Sequence, residues 1–496
     1  MSSSIAASNN KGVVRNYFYN IAYQALTMVL PLITAPYLSR VLGASSIGSY
    51  SYSFSIANYF VLFGMLGINN HGCRSIAACR EDRKELSECF FRIYPIQLFF
   101  CLLSLAAYLW FSIFYINDDQ QRIIFIILGL YVISSCFDIN WFFFGLEQFR
   151  ITTFRNAVIK IAAVVLVFIF VKNPDDLFVY TGIYGMSFLL SQVVLWPFLL
   201  HRIDLCMAPF SKVLSELKPC LKLFIPVIAV SLYTGINTVM LGQLSTLAET
   251  GLFDYANKFF GIPVALLNSL GTVMMPRMVS AATSNDGSEG RYMRISFGIA
   301  MMISGAFSFG LVAISPELSR VFLGPEFSRC DGVITILCFA TPFIAWANVI
   351  RTQYLIPKRL DNQYIISVYL GCVVNLILSY TLAKSHGAIG VAFAYLLAEM
   401  AVCIFQTWVV RHGLDLVGYA KSSFPFLLIG LIMVVGVRGV SLLLGPSLMS
   451  LLVEIVIGAS IYTALSLFMV NYSSNETAHY IFKVIKNAIR RPSHEH

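Results

Sequence analysis

The chain of 496 residues carries 34 Lys and Arg against 25 Asp and Glu, so charged side chains are only 12 % of it, while hydrophobic residues reach 58 % and aromatics 14 %. Soluble domains carry roughly twice that charged fraction, and a mean hydropathy of +0.75 leaves too little polar surface for a water-soluble protein of this size. The apolar excess also excludes disorder, and unbroken apolar runs of about 20 residues, enough to cross ~30 Å of hydrocarbon as helix, exclude the ~10-residue alternating strands of a membrane β-barrel.

Taken in chain order, the apolar runs predict an all-α, polytopic membrane protein of fourteen spans, at 17–38, 48–70, 90–115, 123–145, 153–171, 178–200, 221–244, 250–276, 297–316, 333–356, 364–383, 388–410, 423–444 and 447–469. The polar start through Asn16 shows no A-x-A-type cleavage site ahead of the first run, which therefore reads as a membrane helix rather than a signal peptide. Sorting Lys and Arg by alternate sides puts 26 on the side of both termini and 8 on the other. The positive-inside rule makes the richer side cytoplasmic. The formal charge of +9 is then a basic inner face against anionic lipid, with no nucleic-acid partner expected. After Ser473-x-x-Glu476, a capping-box pattern, residues Ala478, Ile481, Phe482, Ile485, Ala488 and Ile489 fall at helical spacing and predict a short amphipathic helix on the inner leaflet.

An internal repeat sets the domain plan. Leu42-Gly43, Gly48, Tyr50, Leu66-Gly67 and Arg74 return as Leu241-Gly242, Gly251, Tyr255, Leu270-Gly271 and Arg277, six spans later. An even number of spans makes the copies parallel, so two pseudo-symmetric six-helix lobes are expected, as in secondary transporters. The plan is a cytoplasmic N-terminus over 1–16, an N-lobe over 17–200, a cytoplasmic linker over 201–220 and a C-lobe over 221–410. An added helix pair follows over 411–470, then a cytoplasmic tail over 471–496.

An ionisable side chain inside a span is costly and therefore a functional candidate. Asp138 in span 4 and Lys160 in span 5 are expected at like depth, about 10 Å in, either as a structural ion pair or lining a cavity. Asn140, Trp141, Arg155 and Asn156 share that depth. Glu399 in the middle of span 12, with Asn375 in span 11, is a candidate for proton or cation coupling. Arg351, beside Asn348, is placed either to meet an anion or to snorkel to the inner surface. Arg438 and Glu454 are expected to pair across the Gly445-Pro446 turn, and Asp254 with Lys258 through i,i+4 spacing. Pro31, Pro36, Pro263 and Pro342 interrupt their spans, as in helices that bend around a cavity.

No G-x-x-x-x-G-K-[ST], H-E-x-x-H or G-x-S-x-G motif occurs. ATP-driven pumping by this chain, an enzymatic role, a cofactor and a metal are therefore not expected. The 11 cysteines form no C-x-x-C pair and read as small core residues rather than a disulfide framework.

The run Pro36-Tyr37-Leu38-Ser39-Arg40-Val41-Leu42-Gly43, with Gly48-Ser49-Tyr50, Gly67 and Arg74-Ser75-Ile76-Ala77, resembles the polysaccharide-transport family of Wzx-type O-antigen and lipid-linked oligosaccharide flippases, within the multidrug/oligosaccharidyl-lipid/polysaccharide exporter superfamily. Val239-Met240-Leu241-Gly242 with Gly251-Leu252-Phe253-Asp254-Tyr255-Ala256-Asn257-Lys258 is similar to that family's second-lobe signature. Where the family often has an acid before the second Leu-Gly, this chain has Asn237 and Thr238. The resemblance implies two six-helix lobes around a central cavity. It also implies transfer of an undecaprenyl-diphosphate-linked oligosaccharide from the inner to the outer leaflet of a bacterial inner membrane by alternating access, for O-antigen, capsule or exopolysaccharide synthesis.

A diphosphate crossing hydrocarbon needs basic side chains in place of water and counterions. Arg74, Lys160, Arg277 and Arg351 are the inner-side candidates and Arg40 and Lys258 the outer ones. Asp138, Asn140 and Trp141 are expected to line the cavity, with Glu399 and Asp254 as coupling candidates and spans 13 and 14 shaping a groove for the lipid tail. Expected partners are the lipid-linked substrate, membrane lipids, H+ or Na+, and polysaccharide polymerase and chain-length proteins. Two other readings remain. A cation-coupled multidrug or metabolite exporter would share the architecture, though basic candidates suit it poorly. A membrane glycan polymerase or transferase would be expected to carry a large outer loop, and no outer loop here exceeds roughly 20 residues.

Overall fold

A computed structural model describes residues 26–284 and 288–472. The expected cytoplasmic N-terminus, residues 17–25 of span 1 and the amphipathic tail lie outside the described residues. Every regular element among the described residues is helical, and they divide into two compact units, Met1–Gly251 and Leu252–His496.

In the first unit α1 (Leu26–Val41) runs through both Pro31 and Pro36, and α2 (Gly43–Met65) follows at once. The second span is longer than its apolar run predicts. After α2 the chain takes two left-handed residues, Leu66 (φ 44°) and Gly67 (φ 74°), then resumes as α3 (Ile68–Cys79) across a bend of 40°. Glycine is required at 67 because the backbone is left-handed and a Cβ there would press on the Cys220 carbonyl and the Phe224 backbone. Helix α4 (Arg83–Phe114) begins well before its apolar run. Asp82 caps it by accepting from the Lys84 amide at 2.7 Å.

Span 4, predicted as one helix, is broken into α5 (Asp119–Ser134), a single 3-10 turn and α6 (Asn140–Gly145). Then come α7 (Phe149–Phe170), α8 (Leu177–Val193), α9 (Trp196–Leu200), α10 (Phe210–Ser215) and α11 (Leu217–Leu244). Helix α5 packs on α2, α4 and α8, and α11 packs on α2 and α3. Apolar burial gives no drive between helices in lipid, so association depends on close approach. The paired glycines of the repeat supply it: a Cβ on Gly251 would strike the Ala44 carbonyl, and one on Gly48 the Leu247 carbonyl. Only 17 % of the most apolar window of α7 is buried within the chain, so most of that helix is left for lipid to cover.

The second unit takes in most of α12 (Leu247–Ser284), then α13 (Ser288–Glu317), α14 (Cys330–Ile350), α15 (Asp361–Val410), α16 (Leu416–Leu444) and α17 (Leu448–Tyr472). Wide π turns extend α13 through Leu323 and α14 through Leu355. The span containing α14 is the most enclosed, with 61 % of its window buried. It packs between α13 and α15, and α13 also carries α16 and α17. At 50 residues, α15 is about 75 Å of helix, twice what the hydrocarbon needs. Gly387 (φ 56°, ψ −134°) turns it back between the predicted spans 11 and 12. Among the described residues ten helices are long and apolar enough to cross a membrane, α15 counted once, and twelve if two bent pairs each count as one span. All 11 cysteines are free and eight are buried, in line with their reading as core residues.

Candidate functional site

The break in span 4 organises the polar centre of the first unit. Carbonyls released from a helix inside hydrocarbon are costly unless paired within the protein. Side chains from α4 and α9 meet all four. Gln97 Nε2 donates to the carbonyls of Ser135 at 2.9 Å and Asp138 at 2.7 Å. The Tyr94 hydroxyl donates to Cys136 O at 3.2 Å, and Trp196 Nε1 to Phe137 O at 3.1 Å. Gln97 is fully buried, and its own oxygen accepts from Trp141 Nε1 at 2.8 Å.

With the backbone held open, Asp138 Oδ1 accepts from the Asn140 amide at 2.9 Å and from Asn140 Nδ2 at 2.7 Å. Asn140 Nδ2 also donates to Gln192 Oε1 at 3.0 Å. Buried Arg155 donates through Nη2 to Asn140 Oδ1 at 3.2 Å and Asn156 Oδ1 at 2.6 Å. The structure thus brings Asp138, Asn140, Arg155 and Asn156 together and adds Gln192. Lys160 sits half-buried further along α7, and the cation acting on the Asp138 carboxylate is Arg155. Trp141, expected among lining residues, is fully buried and stacked on Phe90 at 5.6 Å, so it positions Gln97 from within the core. Arg40 is exposed and donates to Pro36 O at 3.2 Å. Arg74 is exposed on α3 with no ion-pair partner among the described residues.

Two further features of this unit escaped the sequence. A cavity of about 120 Å³ lies among Phe54, Ser55, Asn58, Tyr59, Ser231 and Gly235. Tyr131 donates to Asn58 Oδ1 at 2.8 Å, Tyr59 to Ser231 O at 3.2 Å, and Phe54 stacks on Tyr131 and Phe188. Aromatic faces with amide and hydroxyl edges suit a sugar ring. The i,i+4 spacing of Phe54 and Asn58 was the available signal, lost in a chain this rich in aromatics. Elsewhere an apolar groove of about 970 Å³ runs between α4 and the linker, with Phe91, Phe99, Phe100, Met207, Phe210 and Leu214 on its walls. The linker is fastened to the bundle by polar pairs: Glu216 to His71 Nε2 at 2.7 Å and Arg92 Nε at 3.6 Å, and Asp204 to Arg83 at 2.7 Å.

In the second unit the π turn after α14 presents Arg351. Its Nη2 reaches Asn268 Oδ1 at 3.4 Å, and Asn348 Nδ2 donates to the same oxygen at 2.8 Å. The guanidinium also lies 5.9 Å from the centre of the Tyr364 ring. No carboxylate pairs with Arg351 among the described residues, and the groups that hold it are neutral. Asp254 and Lys258 form the expected i,i+4 pair at 2.7 Å, with the ammonium 4.4 Å from the Tyr255 ring centre. Glu399 is buried and hydrogen-bonded to Tyr395 one turn earlier, and Asn375 is fully buried with Ser379 donating to it at 3.2 Å. The side chain of Arg277 lies outside the described residues. Arg438 departs from expectation: its partner is Glu317 of α13 at 3.1 Å rather than Glu454 across the hairpin turn.

Comparisons with known proteins agree with this architecture. The family described as "Polysaccharide biosynthesis protein" matches residues 13–282, more than half of the chain. The protein of Escherichia coli (strain K12) named "Putative O-antigen transporter" is 23 % identical over 408 residues, covering 82 % of this chain and 98 % of that one. Among solved structures, the lipid II flippase MurJ in an inward closed conformation superposes with a TM-score of 0.70 at 15 % identity, covering 90 % of this chain and 99 % of that one. An inward-facing multidrug resistance MATE family transporter of the MOP superfamily gives 0.60 at 13 % identity, covering 80 % and 96 %. This multi-pass helical membrane protein, whose fold is that of the MurJ and MATE transporters, belongs to the polysaccharide biosynthesis protein family.

Proposed function

We propose that this protein is a flippase for a lipid-linked glycan precursor. In the finer reading it carries an undecaprenyl-diphosphate-linked oligosaccharide repeat unit from the inner to the outer leaflet of a bacterial inner membrane. The chain would cross fourteen times, with both termini cytoplasmic. It moves its substrate and makes or breaks no covalent bond.

The observation that carries the reading is Arg351, held by the Asn268 oxygen that Asn348 also donates to and by the Tyr364 ring. A cation balanced by a carboxylate would gain little from an anionic ligand. One held by neutral groups in the bilayer's shadow gains a charge-assisted bond to a diphosphate. Lys160 and Arg74 are further candidates on the inner side, with Arg277 a candidate from the sequence alone; on the outer side Arg40 remains a candidate, while Lys258 would have to give up its pairing with Asp254. The cavity beside Asn58 and Tyr59 offers a sugar-sized surface. Glu399 and Asp254 are the coupling candidates for H+ or Na+. The name of the Escherichia coli relative, an O-antigen transporter, supports a surface glycan as the product.

Deletion of the gene should leave complete, unpolymerised repeat units accumulated on the inner leaflet. Arg351→Ala should reach the membrane yet lose surface glycan by ~10- to 150-fold, the factor for ~1.5–3 kcal/mol of a hydrogen bond to a charged group. Normal surface glycan in that variant would remove Arg351 from the site. A deletion strain without lipid-linked intermediates would overturn the substrate reading. Uptake of a soluble cation by vesicles without a lipid carrier would favour an exporter.

A further inference from the structure

Helices α13, α16 and α17 bring two carboxylates and one guanidinium together inside the bilayer. Glu317 closes α13, Arg438 lies one to two turns before the end of α16, and Glu454 lies at the matching distance into α17. At the helical rise, Arg438 and Glu454 are each about 9 Å from the ends of α16 and α17 that flank the Gly445-Pro446 turn.

Glu317 is well provided for. Arg438 Nη1 lies 3.1 Å from its Oε2 and 3.4 Å from its Oε1, and the Ser441 hydroxyl donates to Oε1 at 2.8 Å. Glu454 is 0 % exposed, yet neither of its oxygens receives a hydrogen bond among the described residues. The groups acting on it are Glu317, Ser441 and Arg438, and the one proton of Ser441 is already on Glu317. Arg320, in the π turn after Glu317, is exposed and has no ion-pair partner among the described residues. Tyr462, two turns further along α17, is engaged by the Met302 and Phe426 carbonyls.

Charge balance decides what this arrangement is. Two ionised carboxylates against one guanidinium would leave a net negative charge in a medium where an unpaired ion is prohibitively costly. One shared proton removes that charge and turns two repelling acceptors into a hydrogen-bonded pair, as in other close carboxyl pairs. We infer that Glu454 binds a single proton, in a site completed by Glu317, Arg438 and Ser441, at the junction of α13, α16 and α17. The bound proton holds the α16–α17 pair on α13. Its release sets two like charges face to face and drives that pair away. The inference is independent of what the protein transports.

The full-length protein in lipid nanodiscs can be titrated from neutral to alkaline pH while the C=O stretch of protonated carboxyl side chains is followed by infrared difference spectroscopy. Wild type should show a band component that bleaches with pH. Glu454→Gln and Glu317→Gln should each lack that component, and Glu399→Gln should keep it. Thermal stability gives a second readout. The folded wild type holds a proton that the unfolded chain has already lost at neutral pH, so its melting temperature should fall as pH rises. Glu454→Gln, which puts a neutral amide where a neutral acid stood, should lose that slope. Should Glu454→Gln fail to fold, Glu317→Gln carries the same two measurements. A Gln variant with the wild-type band and the wild-type slope would overturn the site.

Discussion

Replacing Gln97 with leucine preserves the volume and helix propensity of α4 but removes the group on which the break in span 4 depends. Two carbonyls, Ser135 and Asp138, lose their Nε2 donor, and Trp141 Nε1 loses its acceptor. Each buried polar group left unpaired costs about 1–3 kcal/mol. Ser135 O retains a bond of 3.3 Å from the Asp138 amide, and chains unfolded within lipid find substitute partners, which trims measured polar contributions to an average of ~0.6 kcal/mol. The net loss expected for Gln97→Leu is therefore about 2–5 kcal/mol, large against the marginal stability of most proteins. Thermal unfolding of the purified protein, followed by tryptophan fluorescence because Trp141 is one of the severed partners, measures it directly. Transport should also fall at temperatures where the variant is still folded, since Asp138 and Asn140 ride on the released backbone. A Gln97→Leu variant that melts with the wild type would refute the argument, because the carbonyls would then have other donors.

Gly67→Ala should destabilise by at least ~1–2 kcal/mol from the left-handed backbone alone, whereas Gly182→Ala, in a helix with open space around it, should be neutral or stabilising by ~0.5–1 kcal/mol. Parallel melting curves would expose any failure of that contrast in sign. Glu216→Ala leaves His71 and Arg92 facing each other without their carboxylate. Limited proteolysis in membrane vesicles should then cut the linker faster than in wild type, and unchanged cleavage would show that the pairs do not hold it. Burial and the nearby Glu88 and Asp204 carboxylates push the Cys206 thiol up. Its maleimide labelling should be slow at neutral pH, rise with alkali and accelerate in Asp204→Asn. An unaltered rate in that variant would remove the carboxylate from the account.

What the sequence made legible follows interaction range. The positions of the membrane helices could be read because hydrocarbon thickness imposes a length, and Asp254–Lys258 because its partners are one turn apart. Pairings set by packing could not. The break at Asp138 is hidden in the apolar stretch from Cys136 to Phe144, and the side chain that stabilises it comes from another span. Hairpin proximity points Arg438 to Glu454, but the nearer carboxylate in space, Glu317, arrives from α13, far earlier in the chain. Depth along the span suggests Trp141 as cavity lining, but depth does not fix which way a ring points, and the structure turns its indole nitrogen inward to Gln97. Helix starts were displaced for a simpler reason. Charged first turns, such as Arg83 to Ser87 in α4, carry no apolar signature, and only the cap at Asp82 marks where the helix begins.

The turn at Gly387 bears on how the chain enters the bilayer. With no polar loop between its halves, only Lys384, Ser385 and His386 at the bend, α15 offers no point at which one half could rest in lipid while the other waits in water. Both halves must insert together as a hairpin. Tags, cleavage sites or reporter fusions placed there should block biogenesis of the whole second unit.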